Sequence, residues 1–350
     1  MKLLVTGANG FLGRYVVAEA LRRGHAVRAV VRPKAEVSGI EWAHHARLEM
    51  VRADLRSRVG LEKIVGGVDT VLHLAAAKSG DIYAQYAGTV IATENLLRAM
   101  TETNVRHIVS ISSLSVYDYL RLRTFAVLDE DSPLENDAFD RDEYAHTKLI
   151  QERLVRDHAT TQGWRFTILR PGVIWGKDNW FTARLGAQAG PRVWFRIGAW
   201  ARLPLSYVEN CAEAVVLAAE SETAAWQTLN VIDDETPTQR RYACLLRQRL
   251  SPRPRIVPVP WTLMRLIAAF AWSINKHLLR GRAKVPGLFV PARLHARCKP
   301  LRFSSRRVRE VLGWRPRYSL AEAMDRSFGK VAAEEAKIAV PAARTEAAVS

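Results

Sequence analysis

Short apolar runs and helical repeats take turns along the first half of the chain. Leu3-Leu4-Val5 is an unbroken apolar run of the kind a strand buried on both faces carries. The spacing predicts further strands over 26–31, 49–52, 70–74, 107–112 and 165–169. Helices are predicted over 12–23, 90–101 and 142–162, the last with an apolar stripe through Leu149, Leu154 and Val155. Such alternation implies α/β architecture with a doubly wound parallel sheet. Arg170-Pro171-Gly172 interrupts the pattern, and the periodicity is looser from about residue 175, where a helix over 209–220 and a strand over 228–231 are expected. We therefore expect a first domain over 1–174, a smaller C-terminal lobe over 175–330 from which the chain can cross back, and a tail over 331–350. That tail is Ala- and Glu-rich without a core face.

Between the first strand and the first helix stands Gly7-Ala8-Asn9-Gly10-Phe11-Leu12-Gly13, a GxxGxxG spacing. Glycine is needed where the chain turns sharply, where backbone approaches a pyrophosphate, and where helix meets sheet. The helix N-terminus adds unpaired N–H groups and a positive dipole end. Gly7, Asn9, Gly10, Phe11, Leu12 and Gly13 are thus expected to cradle a dinucleotide in a Rossmann-type domain. The second strand ends at Val31-Arg32 without the acid that would hold the ribose hydroxyls of NAD. Arg32, together with Arg28, suits the extra phosphate of NADP, so NADP(H) is favoured over NAD(H). Asp54 and Leu55 follow the third strand, where adenine contacts are expected; a turn or cap role competes for Asp54.

Tyr144 and Lys148 form YxxxK on the long helix, one turn apart and on one face. An ammonium beside a phenol lowers the phenol's pKa from its usual value near 10 and makes it a usable acid/base. Upstream, Ser110, Ser112, Ser113 and Ser115 crowd the end of the strand expected over 107–112. Ligands of parallel sheets bind beyond such ends, and a hydroxyl there can donate to a substrate carbonyl oxygen. Ser113 is the expected catalytic serine; backbone capping is the reading for Ser110, Ser112 and Ser115.

Jointly these residues resemble the extended short-chain dehydrogenase/reductases, of the NAD-dependent epimerase/dehydratase and 3β-hydroxysteroid dehydrogenase-like type. The resemblance rests on VTGANGFLG (5–13), ADL (53–55), HLAA (73–76), SSLSVY (112–117), YAHTK (144–148), RPGVIWG (170–176), YVENCAEA (207–214) and LGWRPRYSLAEAM (312–324). It implies that Ser113 is the active-site serine, that Tyr144 moves the proton, and that Lys148 also bonds the nicotinamide ribose. It places Ala75 and Ala76 along the cofactor, and Pro171, Gly172 and Val173 at its nicotinamide end. The family usually carries asparagine where Thr89 stands. A homodimer is usual for such relatives.

The chain has 350 residues, 48 % hydrophobic and 25 % charged, an ordinary globular composition. Its three cysteines are far apart and no HExxH or CxxC spacing exists, which excludes the familiar zinc and disulfide frameworks. The apolar run at Met1 to Val5 stops at Thr6-Gly7, too short for a secretory signal, so a cytoplasmic protein is expected. The net charge is +17, and residues 276–317 supply +12 of it. That basic stretch carries no nucleic-acid motif or interleaved aromatics, so nucleic acid is not an expected partner. Just before it, 261–274 is the most apolar run; as a helix it would close a substrate cleft, or, with the cations through 284, touch a membrane surface. Trp175, Trp180, Trp194 and Trp200 suit lobe packing first and an apolar substrate wall second. The stretch 301–307 offers arginines without the acid that follows closely in nucleotide-sugar enzymes. The expected small-molecule substrate is therefore a hydrophobic, steroid- or isoprenoid-like alcohol or ketone. A nucleotide-sugar epimerase or dehydratase retaining NAD, and a non-catalytic cofactor sensor, are the alternatives.

Overall fold

Leu3, Leu4 and Val5 are fully buried because strand Lys2–Thr6 has a parallel neighbour on each edge. The computed structural model describes residues 1–136, 141–177, 179–190, 192–278, 280 and 285–329; the tail expected over 331–350 lies outside them. Seven parallel strands form the central sheet, in the order Gln227–Val231, Arg165–Pro171, His107–Ile111, Thr70–His73, Lys2–Thr6, Ala26–Val31, Leu48–Arg52. The order reverses between Lys2–Thr6 and Thr70–His73, which opens a crevice beyond their carboxyl ends. This is a doubly wound, Rossmann-type sheet.

Alternate residues of each strand serve opposite layers. Leu3 and Val5 pack with Val16, Val17 and Ala20 of helix Phe11–Arg22 and with Ala212 and Val215 of helix Val208–Glu220. Leu4 packs the other way, with Leu96 and Met100 of helix Ala92–Thr101 and Val155 and Ala159 of helix Glu143–Gln162. The chain thus crosses back from the lobe: residues Val208–Val231 add a covering helix and an edge strand to the main sheet.

Three expectations need correcting. The interruption at Arg170-Pro171-Gly172 comes later than the pattern suggested, since the strand runs through Pro171. Proline can end a parallel strand there, and the next N–H, of Gly172, donates to the Val231 carbonyl at 3.0 Å. The helix expected over 90–101 begins earlier, as Ile82–Tyr86, and passes through a π-helical turn at Ala87–Ile91 before Ala92–Thr101. Threonines disturb the ladder at that turn: the Thr93 hydroxyl donates to the Thr89 carbonyl at 2.6 Å. The long helix starts at Glu143, with Asp142 as its cap accepting from the Ala145 N–H at 2.7 Å, and ends on the left-handed Gly163.

In the lobe, strands Gly186–Ala189, Val193–Ile197 and Arg255–Val259 form a small sheet. Helices Gln239–Arg249, Trp261–His277 and Pro291–Cys298 surround it. Trp175 and Trp194 are core residues, Trp180 stacks on Trp194 with ring centroids 5.9 Å apart, and Trp200 stands exposed.

The long helix is locked to the sheet by a buried ion pair. Arg170 donates to both Glu152 oxygens, at 2.9 and 2.6 Å, and to the Tyr117 hydroxyl at 3.0 Å. Tyr117 in turn donates to Asn230 at 2.8 Å, which ties in the edge strand. Removing one partner leaves an uncompensated buried charge. Arg170→Met is expected to lower unfolding free energy by about 3–5 kcal/mol, and the double change with Glu152→Leu by much less. Urea denaturation of the three proteins measures the difference.

Candidate active site

The opening loop turns at Gly7, whose φ of +68° favours glycine. A Cβ on Gly7 would stand 3.0 Å from the Ala75 nitrogen, and one on Gly13 only 2.1 Å from the Gly7 carbonyl oxygen. The loop therefore lies flat against both the next strand's end and its own helix. Helix Phe11–Arg22 opens on Gly10 with no side-chain cap and no acid in its first turn. Its first N–H groups and positive dipole end are left to an anion. Gly7, Asn9 and Phe11 are half-buried, Gly10 is exposed, and Leu12 and Gly13 are buried beneath. A Cβ on Gly176 would touch the Phe11 ring at 3.4 Å, so the RPGVIWG segment closes on the loop from the other side. This Cβ-free cradle fits a dinucleotide pyrophosphate.

Strand His107–Ile111 delivers the serines. Ser113 caps a short 3-10 turn, Leu114–Val116, and its hydroxyl accepts from the Ser115 N–H at 3.1 Å. It also lies close enough to the Tyr144 phenol to pull that group's pKa down. Capping thus falls to Ser113 rather than to its neighbours. The hydroxyls of Ser112 and Ser115 are buried without a partner among the described residues, which corrects the capping reading for these two. Ser110 is buried in the strand.

Lys148 lies one turn beyond Tyr144 on the same helix, but its ammonium points into the sheet. It donates to the Ile111 carbonyl at 2.6 Å and to Gln151 Oε1 at 2.8 Å. Burial, reinforced by the charge of Lys78, pushes Lys148 down to about 7, with Glu152 pulling it back. Burial also pushes the Tyr144 phenol up to about 12, against the opposing pull of the Ser113 hydroxyl. The expected acidification of the phenol by Lys148 is therefore not a property of the chain by itself. Desolvation outweighs it, because the ammonium is spent on a carbonyl and an amide.

Beneath these groups runs a buried polar chain that sequence reasoning missed. Thr6 Oγ1 accepts from the Leu74 and Ala75 N–H groups, at 3.1 and 3.2 Å, so its proton goes to His73 Nδ1 at 2.8 Å. His73, pushed down to about 3 by burial and by Lys148, stays neutral and carries its hydrogen on Nε2. That hydrogen meets Thr93 Oγ1 at 2.9 Å, where the Gln151 amide also donates, at 3.0 Å. The Gln151 oxygen is thereby turned to Lys148. Gln151 sits three residues after Lys148 on one helix face, a spacing that could have found it.

The remaining expectations divide. Ala75 and Ala76 are half-buried at the loop, and Ala75 touches Gly7. Pro171 is buried while Gly172 and Val173 are half-buried, and a Cβ on Gly172 would clash with the Pro204 carbonyl at 2.1 Å. Arg32 is exposed at its strand end. Arg28 cannot join it: its guanidinium donates to the Ile64 and Gly66 carbonyls and pairs with Glu49. Asp54 makes the competing turn contact, accepting from the Arg56 N–H at 3.0 Å. Its carboxyl is held low by the Arg56 side chain. Leu55 is buried. Thr89 is buried, and its hydroxyl accepts from the Ala77 N–H at 3.0 Å, so it shapes the loop after HLAA.

Comparison with known proteins agrees with this geometry. The model of the NAD dependent epimerase/dehydratase family matches residues 3–231. A 3 beta-hydroxysteroid dehydrogenase/Delta 5-->4-isomerase of Mycobacterium tuberculosis is 29 % identical, over 92 % of this chain and 88 % of its own. A 4-hydroxy-2-methyl-3-oxo-4-farnesyl-3,4-dihydroquinoline-1-oxide ketoreductase of Stigmatella aurantiaca is 25 % identical, over 93 % of this chain and 95 % of its own. Among solved structures, MoeE5 in complex with UDP-glucuronic acid and NAD superposes with a TM-score of 0.69 at 21 % identity, covering 95 % of this chain and all of that one. With its glycine cradle, its switch-point crevice and its serine–tyrosine pair in place, the chain belongs to the NAD-dependent epimerase/dehydratase family of extended short-chain dehydrogenases/reductases.

Proposed function

We propose that the protein is a dehydrogenase/reductase that exchanges a hydride between nicotinamide and a hydroxyl or keto carbon of a hydrophobic, steroid- or isoprenoid-like substrate. The observation that carries this reading is that Ser113, at the end of a central strand, lies close enough to Tyr144 for its hydroxyl to act on the phenol. When bound, the nicotinamide supplies or accepts the hydride. Ser113 would orient the substrate oxygen, and Tyr144 would pass it a proton. A phenol pushed up by burial is protonated at neutral pH, the form a ketone reduction requires. In its ammonium form Lys148 spends two of its three N–H donors on Ile111 and Gln151, leaving the third for a ribose hydroxyl.

The choice of a hydrophobic substrate is supported by what the C-terminal arginines do. Arg307 pairs with Asp131 at 2.7 Å, Arg309 with Asp234 at 2.7 Å, and Arg306 with Glu310 at 3.4 Å. They are engaged with the chain's own acids instead of being offered to a nucleotide diphosphate. The similar hydroxysteroid dehydrogenase and ketoreductase point the same way. NADP(H) is the proposed cofactor form, because Arg32 stands at the second strand's end with no acid beside it in sequence.

Three outcomes are expected. Tyr144→Phe should abolish ketone-dependent NADPH oxidation, a loss of at least about a hundredfold, while NADPH still binds. A fully active variant ends the hydride-transfer reading, and interconversion of nucleotide sugars with no cofactor consumed points to the epimerase alternative. Arg32→Asp should weaken NADPH binding about tenfold or more and spare NADH, by fluorescence titration. The third concerns pH. Lys148 is lowered from 10.5 to about 7, so the unfolded chain holds a proton that the folded chain has released between those values. Stability therefore gains with rising pH across that window. Lys148→Met should remove this contribution, measured as the difference between wild type and variant in urea denaturation at about pH 6.5 and about pH 9.

A further inference from the structure

Among the described residues, helix Trp261–His277 packs only one side against the protein. Met264 and Ala268 are buried with Leu294 and Cys298 of helix Pro291–Cys298. Leu263, Leu266, Ile267, Phe270 and Ile274 recur at helical spacing on another side and stand 49, 65, 40, 70 and 37 % exposed. Leu278, just past the helix end, continues them. The helix bears no acid, and exposed Arg265 and Lys276 make no ion pair among the described residues. No helix of the described residues is long and apolar enough to cross a membrane.

The charge around this face identifies its partner. Residues 236–309 contain eighteen Lys and Arg and not one Asp or Glu. Arg241, Arg249, Arg293, Arg306, Arg307 and Arg309 pair with acids from outside this stretch, whereas Arg265 and Lys276 on the helix itself have no such partner among the described residues. A second copy laid face to face would set these cations against themselves without a counter-charge. Nucleic acid would answer the charge but leave six large apolar side chains in water. A partner that is anionic at its surface and hydrocarbon just beneath satisfies both.

We propose that this helix docks, lying in the plane of the surface, on a bilayer containing anionic phospholipid. Its apolar row enters the acyl boundary, while Arg265 and Lys276 extend from the other side of the helix to phosphate headgroups. The proposal goes beyond hydride transfer and does not depend on it.

The test is sedimentation of the full chain with vesicles of phosphatidylcholine alone or mixed with phosphatidylglycerol. Binding is expected only with the anionic vesicles, weakening about tenfold or more from low to high salt. Leu266→Ser with Phe270→Ser, both at exposed positions, should fold as wild type by circular dichroism and reduce vesicle binding about tenfold or more. Arg265→Glu with Lys276→Glu should do so as well. Absence of binding to anionic vesicles at low salt overturns the proposal, and so does unchanged binding by the serine variant. A wild-type dimer that this variant breaks in gel filtration assigns the face to a second copy instead. Duplex DNA that displaces the vesicles, and binds the serine variant as tightly as wild type, assigns the charge to nucleic acid. Failure here leaves the Tyr144 and Arg32 outcomes untouched, so the two readings fall separately.

Discussion

One buried line of hydrogen bonds holds the two halves of the site in register. It starts at the N–H groups of Leu74 and Ala75, passes through Thr6, His73, Thr93 and Gln151, and ends on the Lys148 ammonium. Every donor in it has an acceptor, which buried polar groups require. The loop that would receive the dinucleotide and the helix that carries Tyr144 thus share one set of bonds. A shift of either element would strand polar atoms in the core. Neutral His73 is central to this arrangement: burial keeps it uncharged, and two hydroxyls set its tautomer.

The Arg170–Glu152 pair adds a second anchor on the same buried face of the helix. Glu152 lies one turn past Lys148 and also raises the lysine's affinity for a proton. The helix is therefore fixed to three strands, Thr70–His73 through His73, His107–Ile111 through Lys148 and Arg165–Pro171 through Arg170. Rigid support of this kind lets a phenol and a serine be set against each other before any ligand arrives. Electrostatics then follows burial: in both Tyr144 and Lys148 the loss of water favours the neutral form.

Much of the fold was legible because its strands are buried on both faces and so read as apolar runs. The seven strands and most of their covering helices could be placed within a residue or two, apart from the early start at Ile82, the late end at Pro171 and the short helix Leu61–Val65, which was not foreseen. The glycine loop was legible because a missing Cβ is a covalent property. Thr93 and Thr6 were not singled out, since a lone hydroxyl carries no periodic signal; Gln151 was missed although its spacing from Lys148 marks a shared helix face. Arg28 was misjudged for a related reason: a strand residue two positions from the sheet end faces whichever layer the pleat dictates, here the carbonyls of Ile64 and Gly66.

By itself the sequence determined the strand–loop–helix opening, the YxxxK pairing on one helical face, the serine cluster at a strand end and the excess of positive charge toward the C-terminus. These are local in the chain, set by turn sterics, helical spacing and composition. Only the tertiary structure decided that Ser113 is the serine set close to Tyr144, that Lys148 turns toward Ile111 and Gln151, and that an apolar row on Trp261–His277 is left exposed among the described residues. Each of these depends on which distant groups come to lie within a few ångströms, and on how much water that closeness removes. Packing alone settles both.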